Sequence, residues 1–237
     1  MDFKTAVYIR NLKNLVIAID GPAASGKSTT AKLVAGRLGY LYVDTGAMYR
    51  AMTLKVLENG IDPKDELAVG ALADTTIIRL EHSNHSLRVY LDGRDVTDAI
   101  RKPEVTRNVS AVSAMKRVRE AMVREQRRMG ERGGIVLEGR DIGTVVFPNA
   151  DLKIFMVANV DERAKRRNAE LQEKGLSVSL EQLKEEIIER DQKDSLREIS
   201  PLRKAADAVV IVTSAVTIDE QVDRIVQEAE AILHRGT

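Results

Sequence analysis

Among its 237 residues the chain has no cysteine and no tryptophan, and it has only five Tyr and three Phe. Without cysteine there is no disulfide, no thiolate metal site and no cysteine nucleophile, a composition that suits a reducing cytoplasm. So few rings cannot furnish an extended stacking platform for single-stranded nucleic acid. Net charge is lacking too: 37 Lys and Arg face 36 Asp and Glu, leaving +1. Nothing in that total draws the chain toward nucleic acid or an anionic membrane. Apolar runs such as 15–19 and 154–158 reach about five residues, against the ~20 needed to cross a bilayer. Residues 1–14 are basic but have no continuous apolar stretch and no small-residue cleavage site, so they read as a short arm or edge strand, not a signal peptide. Repeats, low-complexity tracts and Pro/Gly-rich linkers are absent as well. What remains, 43% hydrophobic and 31% charged residues, is enough to bury a core in one medium-sized domain carrying an insertion.

The order of elements is legible from periodicity. Leu15-Val-Ile-Ala-Ile19 is a short, wholly apolar run, the pattern of a parallel strand buried on both faces. Gly21 and Pro22 end it. From 27 to 38, Ala31, Val34, Ala35 and Leu38 recur at helical spacing, with Gly39 at the preferred C-cap. A second strand is expected at 40–43 and a second helix at 48–57, a βαβα opening that predicts a parallel sheet with right-handed crossovers. Further core strands are expected at 135–137, 152–157 and 209–212. An amphipathic helix follows the last, carrying Ile218, Val222, Ile225, Val226, Ala229 and Leu233. Between 75 and 96 the pattern changes to alternation, as in Leu87, Val89 and Leu91 against Arg88, Tyr90 and Asp92. That predicts an antiparallel hairpin, within an insert of roughly 62–103 outside the core sheet.

Gly21-Pro-Ala-Ala-Ser-Gly26-Lys27-Ser28 matches Gly, four residues, Gly, Lys, Ser/Thr. Chance would produce the four fixed positions in about one chain of this length in a hundred. Here they also fall where a nucleotide loop requires them, after a buried strand and at the opening of a helix. The glycines let the backbone wrap a phosphate, while loop amides and the helix N-terminus supply donors and a partial positive field. Lys27, read as an exposed loop lysine, would reach the β- and γ-phosphates, and the Ser28 hydroxyl would meet Mg²⁺. A nucleoside triphosphate is therefore the expected first ligand. GTPases, motor ATPases, transporters and small-molecule kinases all share such a loop. The guanine-reading Asn-Lys-x-Asp element is absent, which counts against a GTPase.

In parallel sheets ligands bind beyond the carboxyl ends of the strands. The second strand ends in Asp44-Thr-Gly-Ala-Met-Tyr-Arg50, where Thr45 is read as a helix N-cap and Arg50 lies one turn in, placed to hold a phosphate or carboxylate. The third delivers Glu138-Gly-Arg-Asp141 to the same edge, with Gly139 read as a sharp turn. Residues 101–132 carry ten Lys and Arg against four Glu. Most of these belong to a solvated helix face, and the remainder would attract an anionic substrate. Arg163, Arg166 and Arg167 share one helix face, and Arg190, Asp194 and Arg197 share another. Ser179 and Gln182 resemble a capping box between the two helices. Two arginine-bearing helices joined by a polar loop suggest a lid, which would exclude water from a triphosphate.

Together, Gly-Pro-Ala-Ala-Ser-Gly-Lys-Ser at 21–28, Asp-Thr-Gly-Ala-Met-Tyr-Arg at 44–50, Glu-Gly-Arg-Asp-Ile-Gly-Thr-Val-Val-Phe-Pro at 138–148 and Arg-Asp-Gln-Lys-Asp-Ser at 190–195 resemble the bacterial cytidylate kinases, a family of P-loop nucleoside monophosphate kinases. The similarity runs from about Leu15 to the C-terminus. It implies an α/β fold with a five-stranded parallel P-loop kinase core and helices on both faces. To this it adds an inserted antiparallel subdomain for the monophosphate at about 62–103 and a helical lid at about 161–199. The core would comprise 15–61, 104–160 and 200–237 in a single domain at 15–237, with 1–14 as an arm. The resemblance further implies transfer of the γ-phosphoryl of ATP to CMP or dCMP with Mg²⁺, by a cytoplasmic monomer with no nucleic-acid or membrane partner.

Carried over position by position, ATP would lie on Gly21, Pro22, Ala23, Ala24, Ser25, Gly26, Lys27, Ser28 and Thr29, with Ser28 at the metal. Lys27, Arg140, Arg163 and Arg167 would be catalytic. Asp44, Thr45, Arg50 and Arg140 would surround the acceptor phosphate; Ser110, Arg119 and Asp141 would read cytosine; Arg190 and Asp194 would contact the sugar, and Arg197 would lie near base and phosphates. Some family members have Asp in place of Glu138 and Ser in place of Thr45, changes that keep the functional group. Two other readings share the phosphate loop: a P-loop kinase for another monophosphate or metabolite, and a nucleotide-dependent switch or nucleic-acid-stimulated ATPase. The second leaves the strand-end arginines and the paired lid arginines unexplained.

Overall fold

The computed structural model describes residues 14–83, 86–173 and 175–235. The expected arm at 1–14 therefore lies, except for Asn14, outside the described residues. Strand β1 (Val16–Asp20) leads through the glycine loop into α1 (Lys27–Leu38), which ends on Gly39 in the left-handed conformation. Strand β2 (Leu41–Asp44) passes directly into α2 (Thr45–Glu58), followed by α3 (Glu66–Thr75). Then come β3 (Ile78–Ser83), β4 (Ser86–Leu91), the short β5 (Arg94–Asp95), and helices α4 (Pro103–Ala114) and α5 (Lys116–Gly130). The chain returns to the sheet at β6 (Ile135–Gly139), makes a π-helical stretch at Ile142–Val146, and enters β7 (Leu152–Val157). Helices α6 (Val160–Gln172) and α7 (Leu180–Leu196), strand β8 (Val209–Val212) and α8 (Ile218–Arg235) complete it.

The large sheet is parallel, in the order β2-β6-β1-β7-β8. β1 is central because its side chains are apolar on both faces. Ala18 joins one core with Val43, Ile135 and Leu137 beneath α2 to α5, while Ile17 and Ile19 join another with Val136, Ile154 and Met156 beneath α1 and α8. Because the strands are parallel, their C-terminal ends share one edge, and the connections diverge on either side of β1, opening a crevice there. β3, β4 and β5 form a separate antiparallel sheet. It does not have a core of its own: Ile78, Val89, Leu91 and Val96 pack in the same cluster as Met48, Met52 and Val56 of α2. The apolar face of α2 is thereby covered.

Four local expectations need correction. Strand β2 runs 41–44 rather than 40–43, in register with β6. The cap of α2 is Asp44, whose carboxylate accepts from Ala47 N at 2.8 Å, and Thr45 is already helical. Carrying one more acceptor oxygen, Asp44 caps the amides and leaves the Thr45 hydroxyl to donate to Glu138 O at 2.7 Å. Strand β6 continues through Gly139, paired with Asp20. Gly139 is needed for close approach, not for a turn: a Cβ there would stand 2.7 Å from Thr45 Oγ1. Finally, only half of the capping box exists. Ser179 Oγ accepts from Gln182 N, but the Gln182 amide donates to Glu186 instead of returning to the cap.

Gly21 has φ +154°, and a Cβ on it would meet the carbonyl oxygen of Met156 in β7 at 2.2 Å. A backbone carbonyl within the sheet cannot move aside cheaply. Gly21→Ala is expected to lower stability by about 3 kcal/mol, within the range for overpacking, measured by urea denaturation.

Candidate active site

The glycine loop leaves β1 through Gly21 and reaches α1 through Gly26, left-handed at φ +94°. It is anchored from beneath by residues far along the chain. Thr213, just after β8, donates its hydroxyl to Ser25 O at 2.9 Å and accepts from Arg166 Nη1 at 3.0 Å. Thr30 donates to Gln221 at 2.8 Å. Ser28 and Thr29 stay exposed at the helix start, beside Pro22, Ala23 and Ala24 in the half-buried rim. Lys27 is not the exposed lysine the sequence suggested. It is 4% exposed, and its Nζ donates to Pro22 O at 2.7 Å and Ser25 Oγ at 3.3 Å, folding back over its own loop. Burial, and next the charge of Arg140, lower its pKa to about 7, with Glu138 and Asp20 opposing.

Next to the loop stand two carboxylates. Glu138 is buried and accepts from Tyr42 OH at 2.8 Å. Burial, then the negative charge of Asp44, push its carboxyl up, while Lys27 and a hydrogen bond with Ser28 pull it down. Two crowded carboxylates beside a serine hydroxyl make an oxygen-only set suited to a hard divalent cation.

The arginines lie across the crevice, each steadied by an acid. Arg50 pairs with Asp44 at 2.9 Å, Arg140 donates from Nε to Asp194 at 2.8 Å, and Arg163 pairs with Asp191 at 2.6 Å while also donating to Ala23 O of the loop at 3.2 Å. Arg190 sits among them. Burial, then repulsion from Arg140, bring its pKa down to about 10 against the attraction of Asp194, and Arg50 and Arg167 add to the repulsion. Asp194 is held below the usual range by Arg140 and Arg190, although burial alone would raise it. Arg167 is the outlier, spanning to Glu170 on its own helix.

Deeper in, Arg119 is 3% exposed and ion-paired with Asp141, and it donates to Ser113 O at 3.2 Å. Its guanidinium carbon stands 5.3 Å from the centre of the Tyr49 ring, a cation–π arrangement. Arg197 Nη2 approaches Asp141 at 3.8 Å. Ser110, half-buried one turn before Ser113, accepts the Ser113 hydroxyl at its carbonyl. Of the ten basic residues at 101–132, Arg119 is the one built into this pocket; Arg117 pairs with Asp74, Arg128 with Glu125, and Arg127 donates to the carbonyls of Val145 and Val146.

Four guanidinium nitrogens, Arg119 Nε, Arg163 Nε, Arg190 Nε and Arg197 Nη2, are buried with no acceptor among the described residues. An unmet buried donor costs about 1–3 kcal/mol. Such unmet donors within a basic cluster suit an anionic ligand with several oxygens. The structure thus gathers the loop at 21–29 and the strand-end residues 44, 45, 50, 140 and 141 with Ser110, Arg119, Arg163, Arg190, Asp194 and Arg197. Sequence reasoning gave no role to Asp20, Tyr42, Glu138, Asp191, Thr213 or Gln221. Asp20 and Thr213 carried one usable signal, a polar residue ending or directly following an apolar strand.

The family described as cytidylate kinase matches residues 17–231. A cytidylate kinase of Bacillus pumilus is 51% identical over 93% of this chain and 98% of that one. Those of Limosilactobacillus reuteri and Bacillus subtilis are 55% identical over 90% of this chain and 94% of theirs, and 50% identical over 92% and 97%.

The lowered pKa of Lys27 has a testable sign. The unfolded chain holds that proton up to the usual 10.5 and the folded one only to about 7, so Lys27 makes stability rise with pH across that window. A bound triphosphate favours the ammonium and reverses the shift. Calorimetry at pH 8 in buffers of different ionisation enthalpy is expected to show proton uptake on triphosphate binding, lost in Lys27→Met.

Proposed function

As the chain belongs to the cytidylate kinase family, we propose that it transfers the γ-phosphoryl group of ATP to CMP or dCMP, giving ADP and CDP or dCDP. The bond between the γ-phosphorus and its bridging oxygen breaks, and an oxygen of the acceptor phosphate forms the new one. The observation that carries this reading is the pairing of two anion sites along one sheet edge. The loop with Lys27 suits a triphosphate, and Arg50 and Arg140 suit a second phosphate beside it. Phosphoryl transfer needs little more than in-line positioning and neutralised charge. In this reading Lys27 and Arg163 bind the triphosphate oxygens, with Arg167 on the same lid helix, and residues 161–199 close over them.

The base is read deeper in. Cytosine presents an amino donor beside two acceptors, N3 and O2. Asp141 accepts from the amino group and Arg119 donates toward the acceptors, beside Ser110, while uracil reverses two of those groups. Asp194 and Arg190 meet the sugar, and Arg197 lies between base and phosphates. Residues 62–103 brace the acceptor pocket. Magnesium fits the Ser28 hydroxyl beside the buried Glu138, with phosphates and water completing its shell, and there it would neutralise triphosphate charge. We take the enzyme to be a cytoplasmic monomer acting on free nucleotides; the absence of cysteine supports the compartment, and the near-zero net charge supports small nucleotides over a polyanion. No helix among the described residues is long and apolar enough to cross a membrane.

A coupled assay of ADP release with CMP, dCMP, UMP, AMP and GMP tests the reading. The expected order places CMP and dCMP first. Preferred turnover of UMP or AMP would refute the cytosine assignment, and ATP hydrolysis indifferent to any monophosphate would refute a kinase. Lys27→Ala is expected to lower kcat by about 100-fold or more. Asp141→Asn offers an amide where an acceptor is needed, and its ratio of kcat/KM for CMP over UMP is expected to fall about tenfold or more.

A further inference from the structure

Asp20 ends β1, directly before Gly21, and is 4% exposed. Both of its oxygens are taken by backbone amides of another strand's loop. Oδ1 accepts from Ile142 N and Oδ2 from Gly143 N, both at 2.8 Å. Those amides follow Arg140 and Asp141 without a break and open the π-helical stretch, whose own bonds run from Val145 N and Val146 N to Asp141 O. The strand bearing the phosphate loop and the loop bearing the acceptor-site residues are therefore joined by one bidentate carboxylate. No other side-chain type of this length has two acceptor oxygens. A buried carboxyl group is a costly choice for a mere strut: burial raises its pKa to about 6, despite both amide bonds and the charge of Lys27.

We infer that Asp20 is a positioning residue for phosphoryl transfer, holding the 140–143 loop so that Arg140 and Asp141 face an acceptor at a set distance from the triphosphate. The inference rests on the reading of Arg140 and Asp141 as acceptor-site residues. It assigns Asp20 no contact with either nucleotide. With both nucleotides measured at about pH 6, where Lys27 keeps its proton, its removal acts on one substrate selectively: the loop at 21–26 keeps its own anchors in Thr213 and Gln221, whereas the Asp141 loop loses the carboxylate beneath it.

The test uses the full-length chain as wild type, Asp20→Asn and Asp20→Ser. Asparagine retains one acceptor but turns an NH₂ donor on a backbone donor; serine removes the charge and one oxygen. Steady-state kinetics with CMP and UMP are measured alongside equilibrium binding of a non-hydrolysable ATP analogue, with thermal unfolding as a check on folding. The expected result is a KM for CMP raised about tenfold or more, a matching fall in preference for CMP over UMP, and affinity for the ATP analogue within about twofold of wild type. Unchanged CMP kinetics in a folded variant would overturn the inference, as would equal losses toward both nucleotides. If neither variant folds, Asp20 is a support of the sheet and the inference also falls. Failure of the wild type to phosphorylate CMP would instead refute the functional reading on which this one rests.

Discussion

The arginines along the strand ends repel one another, and acids spaced among them hold that repulsion in check. Two like charges ~5 Å apart at an effective dielectric of about 20 repel by about 3 kcal/mol. Arg50, Arg119, Arg140 and Arg163 each have one carboxylate, from Asp44, Asp141, Asp194 and Asp191. Among the described residues Arg190 has no such pair of its own, and its lowered pKa reports the surplus. The cluster is thus stable enough to fold and still short of negative charge. Among the described residues, buried guanidinium nitrogens remain without acceptors there, and an anion would supply what is missing.

The same acids do more than neutralise. Asp44 caps α2 while holding Arg50, so the backbone of the helix and the side chain one turn later share an anchor. Asp141 pairs with Arg119 in a pocket where the Tyr49 ring faces the guanidinium, leaving it little freedom to turn. Such preorganisation matters because phosphoryl transfer is limited by alignment, so the energy of holding these groups is spent during folding and not at the moment of reaction.

Much of this was readable before any coordinates. The phosphate loop announced itself through spacing and context, and β7, β8 and α1 fall at 152–157, 209–212 and 27–38 as their periodicity indicates. The insert was visible as a change of period from α/β alternation to strict alternation. Other features were invisible for physical reasons. Thr45 and Asp44 are both good caps on propensity, and only the position of Glu138 O across the sheet decides that the threonine hydroxyl is engaged elsewhere. Lys27 looks exposed in a polar loop, yet the loop closes around it.

Local chemistry along the chain was therefore determined by the sequence alone: the strand–loop–helix that cradles phosphate, the arginines and acids delivered to strand ends, and the near-zero total that conceals them. Their partners were decided only by the tertiary structure. Ser25 and Thr213 are 188 residues apart, and Asp20 and Gly143 are 123 apart. Such pairs follow from the order β2-β6-β1-β7-β8, which brings five C-terminal strand ends to one edge. A hydrogen bond or ion pair depends on distance in space, and spacing in sequence carries that distance only within a turn or two of helix or across a short hairpin.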